Sequence, residues 1–123
     1  MVKFEFNIHG VCTNPHTIFR TTSKDKRYPY QEAYFSISTC IVGEMWVYGC
    51  DFNMPTYGGG YAASKHGNKG KLFYNEKDAI KTAAHEIIDG IKYHGDNSKL
   101  AVKMINMAKE IINPIPVELN LFD

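Results

Sequence analysis

No stretch of this 123-residue chain approaches the ~18 consecutive apolar residues of a membrane-spanning helix, so no membrane partner is expected. The opening MVKFEFNIHG alternates polar and apolar residues and lacks the continuous apolar run of a signal peptide. An excess of one charge is missing too. Fourteen Lys and Arg stand against thirteen Asp and Glu, a formal net charge of +1. That excludes a generally cationic coat, and binding to nucleic acid would need a local patch. Cysteine is scarce: Cys12, Cys40 and Cys50 are an odd set without metal-ligand spacing. They read as reduced, mostly buried thiols of a cytoplasmic protein. Catalytic spacings are absent as well. The run Gly58-Gly59-Gly60 is neither G-x-G-x-x-G nor a Walker pattern, so no dinucleotide or P-loop cofactor is implied. Asp51, Glu32 and Glu44 are scattered and offer no acid–base pair. The expectation is a protein without catalytic residues, metal or cofactor.

What is present is the composition of one globular domain spanning residues 1–123, with 44% apolar and 22% charged residues. Val2, Phe4, Phe6 and Ile8 alternate with polar residues and predict a strand over 2–9. TIFRTT predicts a second strand over 16–22. Phe35, Ile37, Thr39 and Ile41 share one face of a strand over 33–42, and Gly43-Glu44 turns it into another over 45–53. Asn75 caps a helix over 76–94, with Glu76 and Asp78 in its first turn and an Ile80/Ala84/Ile87/Ile91 stripe. A second helix covers 98–112 and ends at Asn113-Pro114. The predicted class is therefore α+β: an antiparallel sheet of about four strands followed by two C-terminal helices.

The second helix carries two adjacent apolar rows, wider than one sheet contact needs, and the tail keeps Val117, Leu119 and Leu121 in alternation. This predicts a homo-oligomer in which Leu100, Met104, Met107, Ile111, Val117 and Leu119 face a second copy.

Charge segregation is the most informative functional signal. Residues 16–30 and 55–74 together hold Arg20, Lys24, Lys26, Arg27, Lys65, Lys69 and Lys71 against the single acid Asp25. Backbone N–H groups at Gly59 and Gly60 have the freedom to converge on an anion. Tyr57, Tyr61 and Phe73 lie close by in sequence and suit stacking on a base. The second stretch also runs into a helix N-terminus, which favours phosphate. An anion joined to a flat ring is what a nucleotide presents. The plain alternative is a soluble glycine-rich loop, and a single site requires the two basic stretches to converge.

Two further patterns carry less. His85-Glu86-Ile87-Ile88-Asp89 brushes against H-E-x-x-H, but its fifth position is Asp and no third ligand stands by. Cys12 lies between His9 and His16 in sequence, which says nothing of a thiol–imidazole pair in space. Trp46 and Tyr48 read as core or dimer contacts.

Three resemblances follow from these residues. KGKLFYNEKDAIKTAAHEII is similar to the end of a double-stranded RNA-binding domain, with Lys71, Lys77, Lys81, Ala83 and Ala84 at the matching positions. The family's first helix is missing, and Glu76 and Asp78 would repel RNA phosphate. From GCDFNMP to the following helix, Glu76, Ala79 and Ala83 resemble the sheet-then-helix core of HicB-type antitoxins. The chain's size, its order of elements and the basic loop Gly67 to Lys71 resemble small phage anti-defence proteins, especially the first class of Thoeris anti-defence proteins. That resemblance implies an oligomer, in the cytoplasm of a bacterial host, that sequesters a cyclic signalling nucleotide without destroying it. Ligand contacts would fall to Arg20, Lys24, Arg27, Tyr57, Gly59, Gly60, Tyr61, Lys65, Lys69, Lys71 and Phe73. The alternatives are an anti-CRISPR-like inhibitor of a host defence protein or nuclease, and a small RNA-binding or antitoxin-like domain.

Overall fold

Gly43 sits at φ +67°, the left-handed conformation that closes a two-residue hairpin turn. It joins β2 (Tyr34–Val42) to β3 (Met45–Asn53), which pair antiparallel from Tyr34↔Asn53 to Val42↔Met45. The computed structural model describes residues 3–66 and 71–114. On the outer side of β2 lies β1 (His16–Thr21), and on the outer side of β3 lies β4 (Gly58–Tyr61). The sheet is an antiparallel meander in the order β1-β2-β3-β4. Two helices follow, α1 (Glu76–Tyr93) and α2 (Lys99–Ile112), which completes the α+β architecture.

The helices begin where the sequence caps them. The Asn75 side chain accepts from the Asp78 N–H at 2.8 Å, and the Ser98 side chain accepts from the Ala101 N–H at 3.2 Å. Gly95, at φ +64°, ends the first helix. Ala79, Ala83 and Ala84 are fully buried on α1, and their small side chains let that helix close on the sheet beside Ile87 and Ile91. Phe35, Ile37 and Tyr48 meet it from the sheet, and Ala101, Met104 and Ala108 complete the core from α2. Among the described residues no helix is long and apolar enough to cross a membrane.

Two expectations about strands need correction. Residues 3–9 do not form a sheet strand: Phe6 makes one isolated bridge to Cys12, and the chain turns between them. The Asn7 side chain accepts from the His9 and Val11 N–H groups, and Gly10 takes φ +80°. The apolar alternation is satisfied differently. Phe4 and Phe6 cover a second, small core of Cys12, Cys40, Val47 and Ala63, while Ile8 is 95% exposed. The fourth strand is the glycine run expected to be a loop. A Cβ on Gly58 would lie 2.7 Å from the Phe52 carbonyl oxygen, and one on Gly60 only 2.4 Å from the Asp51 Cα. Glycine is needed there for close strand approach.

The oligomer expectation for α2 also changes. Met104 is fully buried inside the single chain, because α2 packs on α1. Leu100, Met107 and Ile111 are half-buried at the margin of that core. Val117 and Leu119 lie outside the described residues.

Candidate ligand-binding face

Side chains of directly paired antiparallel residues share a face of the sheet. One row therefore runs Phe19, Ser36, Asp51, Gly60 across all four strands on the face away from the helices. Flanking rows run Thr17, Ser38, Gly49 and Thr21, Tyr34, Asn53, Gly58. Ser36 Oγ donates a hydrogen bond to the Asp51 carboxylate. The N-terminal cap occupies only one half of this face. Its partner, the segment after β4, crosses directly over Gly49, where a Cβ would come within 2.3 Å of the Ala63 nitrogen. The Cys12 N–H donates to the Ala63 carbonyl and the Lys65 N–H to the Gly10 carbonyl, which ties the two segments together.

The other half is open. It forms a cleft of about 520 Å³ lined by Tyr34, Ser36, Ser38, Asp51, Asn53 and the backbone of Gly59 and Gly60. At its β1 side the rings of Phe19 and Tyr34 lie 5.6 Å apart, and Tyr30 meets Tyr34 edge-on at 6.1 Å. Phe19 and Tyr30 are 41% and 78% exposed. The loop entering β2 brings the exposed Lys24 and Lys26 to this end of the strands. Arg27 is there too, with its guanidinium paired to Asp25 at 3.1 Å. That contact holds the Asp25 carboxyl below its ordinary range.

The residues singled out in the sequence do not form one cluster. Arg20 points to the helix side, in a groove with Glu76, Lys77, Lys81 and Glu110. Tyr57 is engaged: its ring stacks on His94 at 4.0 Å and its hydroxyl donates to Asp96 at 2.8 Å. Burial and the Asp96 carboxylate push that phenol up to about 12. Tyr61 donates to Glu86 on the helix side, close to Tyr48 and Cys50. Gly59 and Gly60 line the open cleft, yet they do so as strand backbone paired with β3, so their N–H groups do not converge. Lys65 lies over the Phe6 ring at 5.5 Å. Phe73 bridges Trp46 near the hairpin turn and packs on Tyr48, and Lys71 lies just before it; Lys69 is outside the described residues. Lys24 and Arg27 thus sit at the Tyr34 end of the hairpin, while Lys71, two residues before the Phe73–Trp46 bridge, sits level with the Thr39↔Tyr48 pair, roughly 17 Å along the strand. The convergence of the two basic stretches is not found among the described residues. About five strand steps keep them apart.

The helix N-terminus does not wait for phosphate either. Glu76 occupies it, accepting from Thr39 Oγ1 at 2.7 Å and meeting His16 Nδ1 at 2.7 Å. Cys40 and Cys50 are buried, which raises each thiol to about 12, far from a nucleophilic thiolate at neutral pH. Glu86 next to Cys50 adds to the effect. His85 is exposed, and no group of three potential metal ligands occurs among the described residues.

Sequence reasoning passed over Phe19, Tyr30, Tyr34, Ser36, Ser38, Asp51 and Asn53. A signal was there: Tyr34, Ser36 and Ser38 alternate with Phe35, Ile37 and Thr39 on the strongest strand, so its second face had to be polar. No family model matches the chain, and no curated protein or solved structure is significantly similar to it.

Proposed function

We propose that the protein binds a nucleotide-type ligand, a cyclic signalling nucleotide in the first instance, on the open half of its sheet and holds it without chemistry. The observation that carries this reading is the row Phe19, Ser36, Asp51, with Tyr34 and Asn53 beside it: an exposed ring and half-buried polar groups facing an open cleft on a sheet whose other face is covered by the helices. Aromatic side chains offer a base about 1–3 kcal/mol of stacking each. The Asp51 carboxylate and Ser36 hydroxyl suit ribose hydroxyls, which donate to an acid where phosphate would be repelled. Phosphates then lie toward Lys24 and Lys26. Capture of an intact signal is the role that the resemblance to Thoeris anti-defence proteins implies for such a site.

The test is titration calorimetry of the full chain with cyclic ADP-ribose and with 3′,5′-cyclic AMP, followed by heating and recovery of the ligand. Binding that weakens at least tenfold in Tyr34→Ala and Asp51→Ala, with intact ligand recovered, supports the reading. Unchanged affinity in both variants rejects this site. A second reading has its own support, since a four-stranded sheet with an aromatic open face also suits single-stranded RNA. It predicts that affinity for an oligouridine probe falls steeply with salt, whereas a small ligand with few charges shows a shallow slope.

A further inference from the structure

The two edges of the sheet are built differently. β4 is short, with three glycines in four residues. β1 has six residues, HTIFRT, with Thr, Ile and Phe at its centre, one formal charge and no proline. Its outer edge has no strand neighbour among the described residues. Natural edge strands avoid pairing through lysines, prolines, bulges or brevity, and β1 uses almost none of these devices. Beside it lies a cleft of about 670 Å³ floored by Ile18, Ile80, Met107 and Ile111, with both signs of charge on its walls.

We propose that β1 pairs antiparallel with β1 of a second copy, about a two-fold axis at Ile18. The register follows from two constraints. Side chains keep to their own faces only when the paired residue numbers sum to an even value, because a strand alternates with period two. Ile18 opposite Ile18, or Phe19 opposite Phe19, satisfies this. Charge selects the first. With Ile18 on the axis, Arg20 faces His16 of the partner copy, whose ring holds Glu76 at 2.7 Å. The Arg20 guanidinium of each copy, which in the single chain donates to its own Phe19 carbonyl at 3.0 Å, then turns to the partner's half-exposed Glu76 carboxylate, twice per dimer, on the helix side. The Phe19 register sets Arg20 against Ile18 and loses that match. A net charge of only +1 adds little repulsion between copies.

The pairing makes one eight-stranded sheet and joins the two open faces. Phe19 of each copy lies opposite Thr17 of the other, and the two Phe19 rings become diagonal neighbours within about 8 Å. Resting on the function proposed above, this places Phe19 of the partner copy at the mouth of each ligand site. The interface itself stands without that reading.

Sedimentation velocity and thiol cross-linking test it. The full chain is expected to sediment as a dimer, and Arg20→Glu to weaken dimerisation at least tenfold while the far-ultraviolet circular dichroism of the folded chain stays unchanged; Tm is expected to fall only as far as lost association requires. Ile18→Cys places two thiols across the axis at a spacing that accommodates a disulfide, so mild oxidation is expected to give a dimer on a non-reducing gel. The native cysteines are buried, and exposed Tyr93 changed to Cys serves as the control. A chain that stays monomeric, or a dimer that fails to cross-link through Ile18→Cys, overturns the proposal. Slow amide exchange along β1 in a monomer overturns it too, since another part of the chain then covers the edge. A cross-linked dimer that binds no nucleotide keeps the interface and removes the ligand reading; a monomer that binds cyclic ADP-ribose does the reverse.

Discussion

The two faces of one strand pair have opposite chemistry. Toward the helices β2 and β3 present Phe35, Ile37, Tyr48 and Cys50, all buried; away from them they present Ser36, Ser38 and Asp51, in a cleft. Each residue step of the same nine-residue strand switches between them. The one polar side chain of β2 fully buried on the helix side, Thr39, is satisfied by Glu76. Stability thus concentrates on one face, and the proposed recognition falls on the other. Substitutions at adjacent positions ought to report different things.

Phe35→Ala gives the largest expected effect. It removes a fully buried ring from the main core and should cost about 3–5 kcal/mol in urea unfolding. Ser36→Ala, one residue along, removes a hydrogen bond at a partly open site and should cost about 1 kcal/mol or less. Equal costs would refute the division. Gly49→Ala comes next. The added methyl meets backbone of Tyr61, Ala62 and Ala63 at 2.3–2.6 Å, so the crossing segment must lift. A loss of about 1–3 kcal/mol is expected, with faster labelling of Cys40 as its cover loosens.

Most of the architecture was legible because the decisive signals were local. Gly43, Asn75, Ser98 and Gly95 mark turns and caps that their neighbours confirm within four residues. The misplaced strands show where locality fails. VKFEFNI has strand periodicity, but periodicity records only that one side is covered, and here the cover is Cys40 and Val47 on the capped half of the sheet face. GGGY has no pattern at all; it becomes a strand because β3 leaves no room for side chains at Gly58 and Gly60. The candidate site was obscured for a related reason. Basic loops stand out in a sequence, whereas Phe19, Ser36 and Asp51 come together only through strand register.

Alkaline pH should act on the covered regions and spare the open cleft. Tyr48 and Cys50 on the helix side, and Cys40 beneath the N-terminal cap, are each raised to about 12, chiefly by burial. A raised folded value means that the neutral form is favoured on folding. The stabilisation is complete below the unfolded values, near 9 for the thiols and 10 for the phenol, and is lost as pH climbs toward 12. Tm should hold steady to about pH 8 and decline above pH 9. Cys50→Ala should flatten part of that decline, and Asp51→Asn should ease it slightly, because the Asp51 charge helps to raise the Cys50 thiol; Ser38→Ala on the open face leaves the slope unchanged.

Tyr57→Phe should have a small effect, comparable with Ser36→Ala, and draws the boundary between the faces most finely. It keeps the ring on His94 and deletes only the hydroxyl that donates to Asp96. That bond ties the turn before β4 to the C-terminal end of α1, so its loss should cost about 0.5–1.5 kcal/mol. The Asp96 carboxylate still accepts from the Ser98 N–H at 2.9 Å, which limits the penalty. Nucleotide affinity should not change, because Tyr57 lies outside the open cleft. Unchanged affinity with a modest fall in urea midpoint assigns the ring to the scaffold. A drop in affinity of tenfold or more at unaltered stability would instead return Tyr57 to the ligand, and the boundary between the two faces would have to be redrawn through the β3–β4 turn.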